Sequence, residues 1–209
     1  MGIRTTINEQ HFDKQQAAQY KLSILAGVDS FFYAVSSGSN ELLVVKDFQL
    51  PAPQQNGGLV TAFNDFFAKE ELLKLPYRQI KVGLSSMVST LVPQRLFKDT
   101  DLEQYLAPVA EVEDYQGVYR DELPTLDLTN VYAADASWKS VLESHFKYCK
   151  IYHQNTVLLR SFQRRQRGKS GYALYAHVNA QTVQLYLYDN SNLVFSNIFN
   201  YQSAKDFVY

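Results

Sequence analysis

The chain has 209 residues, of which 46% are hydrophobic and 14% aromatic, so it can bury one large core or the cores of two small lobes. This composition excludes an intrinsically disordered protein, and the net charge of −1 excludes a global field that would draw the chain to nucleic acid or to a membrane. The single cysteine, Cys149, excludes an internal disulfide framework and fits a reducing compartment.

The N-terminal segment, residues 1–20, shows no targeting signal. It lacks the apolar stretch of a signal peptide, and no apolar run in the chain is long enough to span a bilayer. We therefore predict a cytoplasmic protein that does not bind membranes. The segment is polar, and we expect it to form a polar tail or a loose edge segment.

Residues 21–50 predict a meander of three short strands, which we call the first meander. The strands read KLSILAGV, FFYAVSS and ELLVVKDFQL. The turns between them fall at Asp29-Ser30 and at Gly38-Ser39-Asn40.

The middle of the chain alternates helices with strands, which is typical of an α/β protein. Amphipathic spacing indicates the helices, apolar runs indicate the strands, and prolines mark boundaries. In order, the predicted elements are a linker at 51–58, a helix at 59–75, strands at 78–86 and 89–97, a helix at 101–107, an acidic irregular segment at 108–129 that forms a surface loop or a hairpin, a strand at 130–135, a helix at 137–146, a strand at 149–153, and a helix capped by Asn155.

A second meander of three strands is predicted over residues 172–201, after a linker at 168–171. Its strands read ALYAHVNA, TVQLYLYDNSN and LVFSNIFNY. In the middle strand an aliphatic face alternates with a face that carries tyrosines, and we expect most tyrosines to lie at the sheet surface or the core edge. The aliphatic face comprises Val183, Leu185 and Leu187, and the other face Gln184, Tyr186 and Tyr188.

The second meander repeats the strand–turn pattern of the first, which predicts one duplicated fold with one copy in each lobe. Residues 21–167 would form the first lobe, and residues 168–209 the start of the second. Three antiparallel strands followed by alternating helices and strands is the order of a ribonuclease H-like fold, which the actin-like ATPase superfamily uses in duplicate.

Three local strings carry a narrower resemblance: STLVPQRLF (89–97), NVYAAD (130–135) and NIFNYQSAKDFVY (197–209). Together with the LSILAGV start, they resemble a family of uncharacterised bacterial proteins grouped as a domain of unknown function. The resemblance covers about residues 20–209 and implies an actin-like, ribonuclease H-like fold. It brings no established catalytic residues to this sequence.

ATP hydrolysis in the actin-like superfamily needs a D-x-G-T/S phosphate loop in the first hairpin of each copy, where the aspartate organises Mg²⁺. The first hairpin here reads Ala26-Gly27-Val28-Asp29-Ser30, with the glycine before the aspartate, and HVNAQT (177–182) has neither acid nor glycine. We read Asp29 as a turn residue and predict no cofactor. The alternative is ATP with Mg²⁺, for which Asp29 and Ser30 are the candidate residues.

Three further chemistries lack the residues that they need. The first strand contains no acid for a ribonuclease H-type two-metal site, and Gly168-Lys169-Ser170 lacks the earlier glycine of a phosphate loop. His145, Cys149 and His153 have metal-ligand spacing on one helix, but CKIYH has strand character. We therefore expect a core cysteine and two element-end histidines, and no metal or catalytic site.

One basic cluster follows the cap at Asn155. It could bind RNA or a phosphate-rich partner, with Phe162 and Tyr172 stacking on bases. The alternative is a solvated helix face whose charges suit the C-terminal end of the helix dipole, and we favour it. The cluster comprises Arg160, Arg164, Arg165, Arg167 and Lys169.

The function predicted from the sequence is that of a non-catalytic, actin-like scaffold or binding partner for an unidentified protein. An ATPase with atypical phosphate loops and an RNA-binding protein are the alternatives. Ser203 and Asp206 are predicted to start a helix, and the related family continues beyond it. We therefore expect an incomplete second lobe whose uncovered sheet face or strand edge favours self-association.

Overall fold

The computed structural model describes residues 2–8, 12–27, 30–49, 58–179, 181–203 and 205–206, which contain twelve strands and four α-helices. The strands are β1 (Gly2–Asn8), β2 (Lys21–Ala26), β3 (Ser30–Ser36), β4 (Leu42–Gln49), β5 (Gln79–Leu84), β6 (Ser89–Pro93), β7 (Gln116–Leu123), β8 (Leu128–Asp135), β9 (Lys150–His153), β10 (Tyr172–Val178), β11 (Thr182–Asp189) and β12 (Asn192–Asn200). The helices are α1 (Gly58–Lys69), α2 (Glu103–Leu106), α3 (Ala136–His145) and α4 (Gln154–Gln166).

The first sheet is mixed and has the order β1-β4-β3-β2-β5-β9. Strands β2, β3 and β4 form the predicted antiparallel first meander, and β5 and β9 continue the sheet parallel to β2. The chain is therefore an α/β protein, as the alternating pattern predicts. Within the described residues, no helix is both long and apolar enough to cross a membrane.

The main core lies between the first sheet and the helices α1 and α3. Phe31 of β3 sits 5.2 Å from Phe63 of α1 and 6.1 Å from Trp138 of α3, measured between ring centroids. Phe63 also contacts Trp138 edge to face at 5.6 Å. All three side chains are buried, so aromatic rings from β3, α1 and α3 pack together in this core.

Of the two predictions for residues 1–20, the described residues 2–8 and 12–20 agree with an edge segment and not with a polar tail. Strand β1 pairs with β4 at the edge of the first sheet, and a short 3-10 helix over Lys14–Gln19 buries Ala17. The sequence pattern missed β1 because main-chain hydrogen bonds, which do not depend on side-chain polarity, hold an edge strand to its neighbour.

Helix α1 ends at Lys69, earlier than the predicted end at residue 75. The backbone of Glu70 is extended, and a separate 3-10 turn follows over Glu71–Lys74. The Glu70 carboxylate accepts hydrogen bonds from the Tyr33 hydroxyl (3.0 Å) and the Lys46 ammonium group (2.8 Å). This contact with two strands of the first sheet fixes the point at which the helix stops.

Within the acidic segment 108–129, residues Gln116–Leu123 form β7, so the hairpin alternative for this segment agrees with the structure and an irregular loop does not. This strand pairs with β8, and β6 completes a separate three-stranded sheet in the order β6-β8-β7. Helix α2 covers a small core beneath this sheet, in which Leu106, Val131 and Ala133 are fully buried. The strand NVYAAD therefore belongs to this second sheet and not to the first.

The third sheet is the predicted second meander, in the order β10-β11-β12. Tyr186 and Tyr188 of β11 are completely buried against α4, so the prediction that tyrosines stay at the surface or core edge is wrong for these two. A tyrosine ring can fill a core when its hydroxyl reaches a partner, as that of Tyr186 does at Asn155.

Several apolar side chains are exposed on the opposite face of the third sheet. Its exposed apolar side chains lie on the two edge strands and the bulge of β12. They are Tyr172, Leu174, Val178, Val194, Phe195 and Phe199. The predicted helix start is also confirmed, because the Ser203 amide donates to the Asp206 carboxylate (3.0 Å) and the Asp206 amide donates to the Ser203 hydroxyl (3.3 Å).

Candidate functional site

The three parallel strands of the first sheet end in register with one another. Ala26 of β2 lies beside Leu84 of β5, which lies beside His153 of β9. The residues that follow these strands therefore meet at one edge of the sheet. In open α/β sheets, ligands bind outside the carboxyl ends of the strands, so this edge is the candidate ligand site.

The first hairpin turns at this edge. The Gly27 amide donates a hydrogen bond to the Ser30 carbonyl (2.9 Å), and Ser30 then begins β3. A Cβ atom on Gly27 would lie 3.1 Å from the Ser30 hydroxyl, so the turn leaves little room for a side chain. Asp29, the other candidate phosphate or Mg²⁺ residue, lies outside the described residues.

His153 ends β9, the outermost of the three parallel strands, and is almost completely buried. Its Nδ1 atom accepts hydrogen bonds from the Asn130 amide group (3.2 Å) and from the Asn155 main-chain amide (3.3 Å). The ring proton is therefore on Nε2, where it is donated to the Ser86 carbonyl (3.2 Å). Burial lowers the pKa of His153 to about 4, so the ring is neutral near pH 7.

The Ser86 hydroxyl lies 3.2 Å from His153 Nε2, which resembles a serine–histidine pair of a hydrolase. The proton positions are wrong for that role. The Ser86 hydroxyl donates to the Ala133 carbonyl (2.6 Å), and His153 Nε2 already carries a proton. The imidazole therefore has no free lone pair with which to accept a proton from Ser86, and the pair joins β5 to β8 instead.

Four consecutive buried polar residues, His153 to Thr156, form the first turn of α4, and we call them the polar hub. His153, not the predicted Asn155, is the helix cap, because its side chain accepts from the Asn155 amide. The two middle residues of the hub bind two strands of the third sheet. Gln154 donates to His177 of β10 (2.6 Å), and Asn155 accepts from the Tyr186 hydroxyl of β11 (2.8 Å).

The second sheet also binds to the polar hub. Asn130 of β8 donates to the Thr156 hydroxyl (3.0 Å). Asp121 of β7 accepts from the His153 main-chain amide (2.7 Å) and from the Thr156 hydroxyl. Burial raises the pKa of Asp121, while the hydrogen bonds from His153 and Thr156 lower it. The hub thus joins all three sheets through hydrogen bonds inside the protein.

No local sequence pattern marked Ser86, Asp121, Asn130 or Thr156 as members of a site. The available signal was the run of four polar residues, HQNT, directly after a strand and at the start of a helix. From that run, the sequence predicts only that His153 ends a strand and that Asn155 caps a helix. Only the fold shows that it is buried, because its partners come from residues far away in the sequence.

The histidines and cysteine predicted to be structural are apart from one another. His145 ends α3 and bonds to Asn64 of α1 (2.6 Å), whereas His153 lies in the polar hub. Burial raises the pKa of the Cys149 thiol, which makes it a poorer nucleophile. The described part of the chain contains no group of three or more histidine, cysteine or acidic residues that could hold a metal ion.

The basic cluster divides into one half-buried and four exposed members. Arg160 donates to the Glu122 carbonyl (2.8 Å) and lies 4.6 Å from the centre of the Tyr152 ring. The other four side chains are exposed, and within the described residues none forms an ion pair with a carboxylate. These four, Arg164, Arg165, Arg167 and Lys169, are called the basic patch below.

One part of the RNA hypothesis is wrong. Phe162 stacks on Tyr175 at 4.6 Å and contacts Tyr186 at 5.1 Å, so its ring is packed between α4 and the third sheet. It is not available to stack on a base. Tyr172 is 77% exposed and remains available.

Comparisons with known proteins agree with this fold. The sequence matches the family described as protein of unknown function (DUF3822) over residues 9–209. A crystal structure of a Bacteroides thetaiotaomicron VPI-5482 protein with actin-like ATPase fold and unknown function is similar, with a TM-score of 0.82 and 19% identity over 95% of this chain and 76% of that one. A PilM-PilN type IV pilus biogenesis complex gives a TM-score of 0.52 and 13% identity, with 90% of this chain and 63% of that one covered. No curated protein matches the sequence.

Proposed function

We propose that this chain, which belongs to the DUF3822 family and has an actin-like ATPase fold, is a non-catalytic scaffold or binding partner for another protein. The observation that carries the proposal is the polar hub. The polar side chains at the carboxyl ends of β5 and β9 bond to one another and to three sheets, so they hold the protein together.

A nucleotide site places its polar groups differently. Phosphate binding uses main-chain amides and hydroxyls that point into a crevice, with room for the ligand. Here the hydroxyl of Ser86 and both nitrogens of His153 already have partners inside the protein. The Gly27 amide is bonded across its own hairpin to Ser30. These contacts support a structural role for this edge of the sheet.

Similarity to the PilM-PilN complex supports the protein-binding part of the proposal. That complex shows that a protein of related fold assembles with another protein, although the identity of 13% relates the folds alone. The partner of this chain is unidentified. A cytoplasmic location stays a prediction.

Titration calorimetry with Mg-ATP tests the proposal directly. We expect no heat of binding beyond dilution, with Mg²⁺ alone and ADP as matched injections. Micromolar affinity for Mg-ATP would contradict the proposal, because it would require a phosphate site that the polar hub does not leave free.

An ATPase with atypical phosphate loops is the alternative, with Asp29 and Ser30 as its candidate residues. It is tested by measuring phosphate release by the wild type and by Asp29→Ala. Turnover that Asp29→Ala abolishes, and that Asp65→Ala on the exposed side of α1 leaves unchanged, would establish this alternative.

We further propose that the third sheet is a repeat of the first meander and that the second sheet is an insertion into the first lobe. The antiparallel order of β10, β11 and β12 matches that of β2, β3 and β4, which supports a duplicated meander in lobes 21–167 and 168–209. The β6-β8-β7 sheet interrupts the first lobe between β5 and α3 and has no counterpart in the described part of the second.

A further inference from the structure

The outer edge of β10 carries main-chain groups that point away from its sheet. In an antiparallel pair, residues that exchange main-chain hydrogen bonds alternate with residues that exchange none. The Asn179 amide donates to the Thr182 carbonyl (2.8 Å), and the Asn190 amide donates to the Gly171 carbonyl (2.9 Å). The register between these two points is continuous, so the odd-numbered residues of β10 face β11.

The even-numbered residues of β10 therefore direct their amides and carbonyls outward. Among the described residues, no further strand pairs with this edge. The residues with outward main-chain groups are Tyr172, Leu174, Ala176 and Val178.

Strand β10 lacks the sequence features and the bulge that often protect a sheet edge. Its sequence, YALYAHV, contains no charged residue, proline or glycine, and its pairing with β11 has no bulge. The side chains of Tyr172 and Leu174 are 77% and 62% exposed, so the free edge also has an apolar flank. Such an edge is a template for an additional strand.

The basic patch lies at the N-terminal end of this edge. Lys169 precedes Tyr172 by three residues, which limits their Cα separation to about 10 Å. Arg167 is two residues further back, and both side chains are exposed. An extended segment that pairs with β10 therefore meets several positive charges at one end and none along its length.

We propose that the free edge of β10 binds an extended segment of a partner protein as a fourth, antiparallel strand, and that acidic residues at the C-terminal end of this segment contact the basic patch. The inference rests on the proposed function as a binding protein and names the chemistry of the partner. Main-chain hydrogen bonds to the even-numbered residues supply affinity, and the charge at one end sets the direction of the strand.

Two labelled peptides test the proposal by fluorescence anisotropy with the full chain. One alternates valine with threonine and ends at its C-terminus in a run of glutamates, and the other ends in lysines. We expect the wild type to bind the glutamate peptide about tenfold more tightly, because several exposed ion pairs of modest strength together supply this ratio. The preference should weaken as salt is raised.

Two variants separate the edge from the charge. Ala176→Pro removes an outward amide and leaves the hydrogen bonds to β11 in place, so binding of the glutamate peptide should fall about tenfold or more. Ala176→Thr keeps the amide and is the matched control, with unchanged binding expected. Arg167→Glu with Lys169→Glu should reverse the preference between the two peptides. Thermal melts confirm that each variant is folded.

Several outcomes would overturn the proposal. Wild-type protein that binds neither peptide, or Ala176→Pro protein that binds as the wild type does, excludes strand addition at β10. A dimer that Ala176→Pro dissociates would assign the edge to a second copy of this chain. Binding of single-stranded RNA that Arg164→Glu with Arg165→Glu abolishes would assign the patch to nucleic acid. None of these results depends on Mg-ATP binding, so the proposed function is tested separately.

Discussion

The two meanders share one strand pattern and differ in how they are covered. In the first, every second residue of β3 is buried, and α1 and α3 pack on the sheet. In the second, α4 covers the tyrosine face of β11, while alternate residues of β10 remain exposed. The strand pattern therefore specifies which strands pair, whereas the burial of their side chains depends on which other elements pack on the sheet.

The largest expected effect comes from removing an aromatic ring from the core of the first meander. Phe63→Ala deletes a fully buried ring that contacts Phe31 and Trp138, so the free energy of unfolding should fall by about 3–5 kcal/mol. Phe199→Ala on the open face of the second meander is the matched control and should cost less than about 1 kcal/mol. Urea denaturation measures both, and equal losses would show that the two meanders are covered alike.

Acid should weaken the polar hub that joins the meanders. The pKa of His153 is about 4 in the folded protein and about 6.5 in an unfolded chain, so the unfolded state binds more protons. Its contribution to stability is present above pH 6.5 and is lost as the pH falls towards 4, by about 3 kcal/mol at most. Burial also lowers the pKa of His145 and His177, which act in the same direction, while the raised pKa of Asp121 acts in the opposite one.

Denaturation of the wild type and of His153→Gln between pH 7 and pH 4 separates the contribution of His153 from these others. The variant should be less stable at pH 7 and should lose less stability on acidification. Parallel curves for the two proteins would show that His153 does not titrate with a lowered pKa.

Two tyrosines on the same face of β11 offer a sharper test. The Tyr186 hydroxyl donates to Asn155 in the polar hub, so Tyr186→Phe leaves a buried acceptor without its donor and should cost about 1–3 kcal/mol. The buried Tyr188 hydroxyl has no hydrogen-bond partner among the described residues, so Tyr188→Phe should be neutral or slightly stabilising. Thermal or urea unfolding measures the change in stability of both variants. Equal costs would mean that burial of the ring, and not the bond to the hub, fixes the third sheet.

The sequence was sufficient for the elements that have a strong local pattern. Both meanders, β5 and α3 follow from apolar periodicity, and the resemblance of three short strings correctly indicated the family and the fold. For the segment that contains β7 the sequence left a loop and a hairpin open, because its acidic residues obscure the strand pattern. The polar hub was missed for a different reason: Asp121, Asn130 and Tyr186 reach α4 only after the chain has folded, so no local pattern indicates that HQNT is buried.

The smallest expected effect on stability concerns the open face of the second meander. Phe195 and Phe199 are each 42% exposed and stack on one another at 6.5 Å, with Val194 beside them. Replacing both phenylalanines with serine removes little buried surface, so the free energy of unfolding should change by less than about 1 kcal/mol.

The face is nevertheless an exposed apolar patch of the kind that drives association. We expect sedimentation velocity to show concentration-dependent self-association of the wild type, reduced in Phe195→Ser with Phe199→Ser. Leu96→Ser, at an exposed apolar residue outside the third sheet, is the matched control. A wild type that remains monomeric at every concentration would contradict self-association through this face and would leave the β10 edge as the binding surface of the second meander.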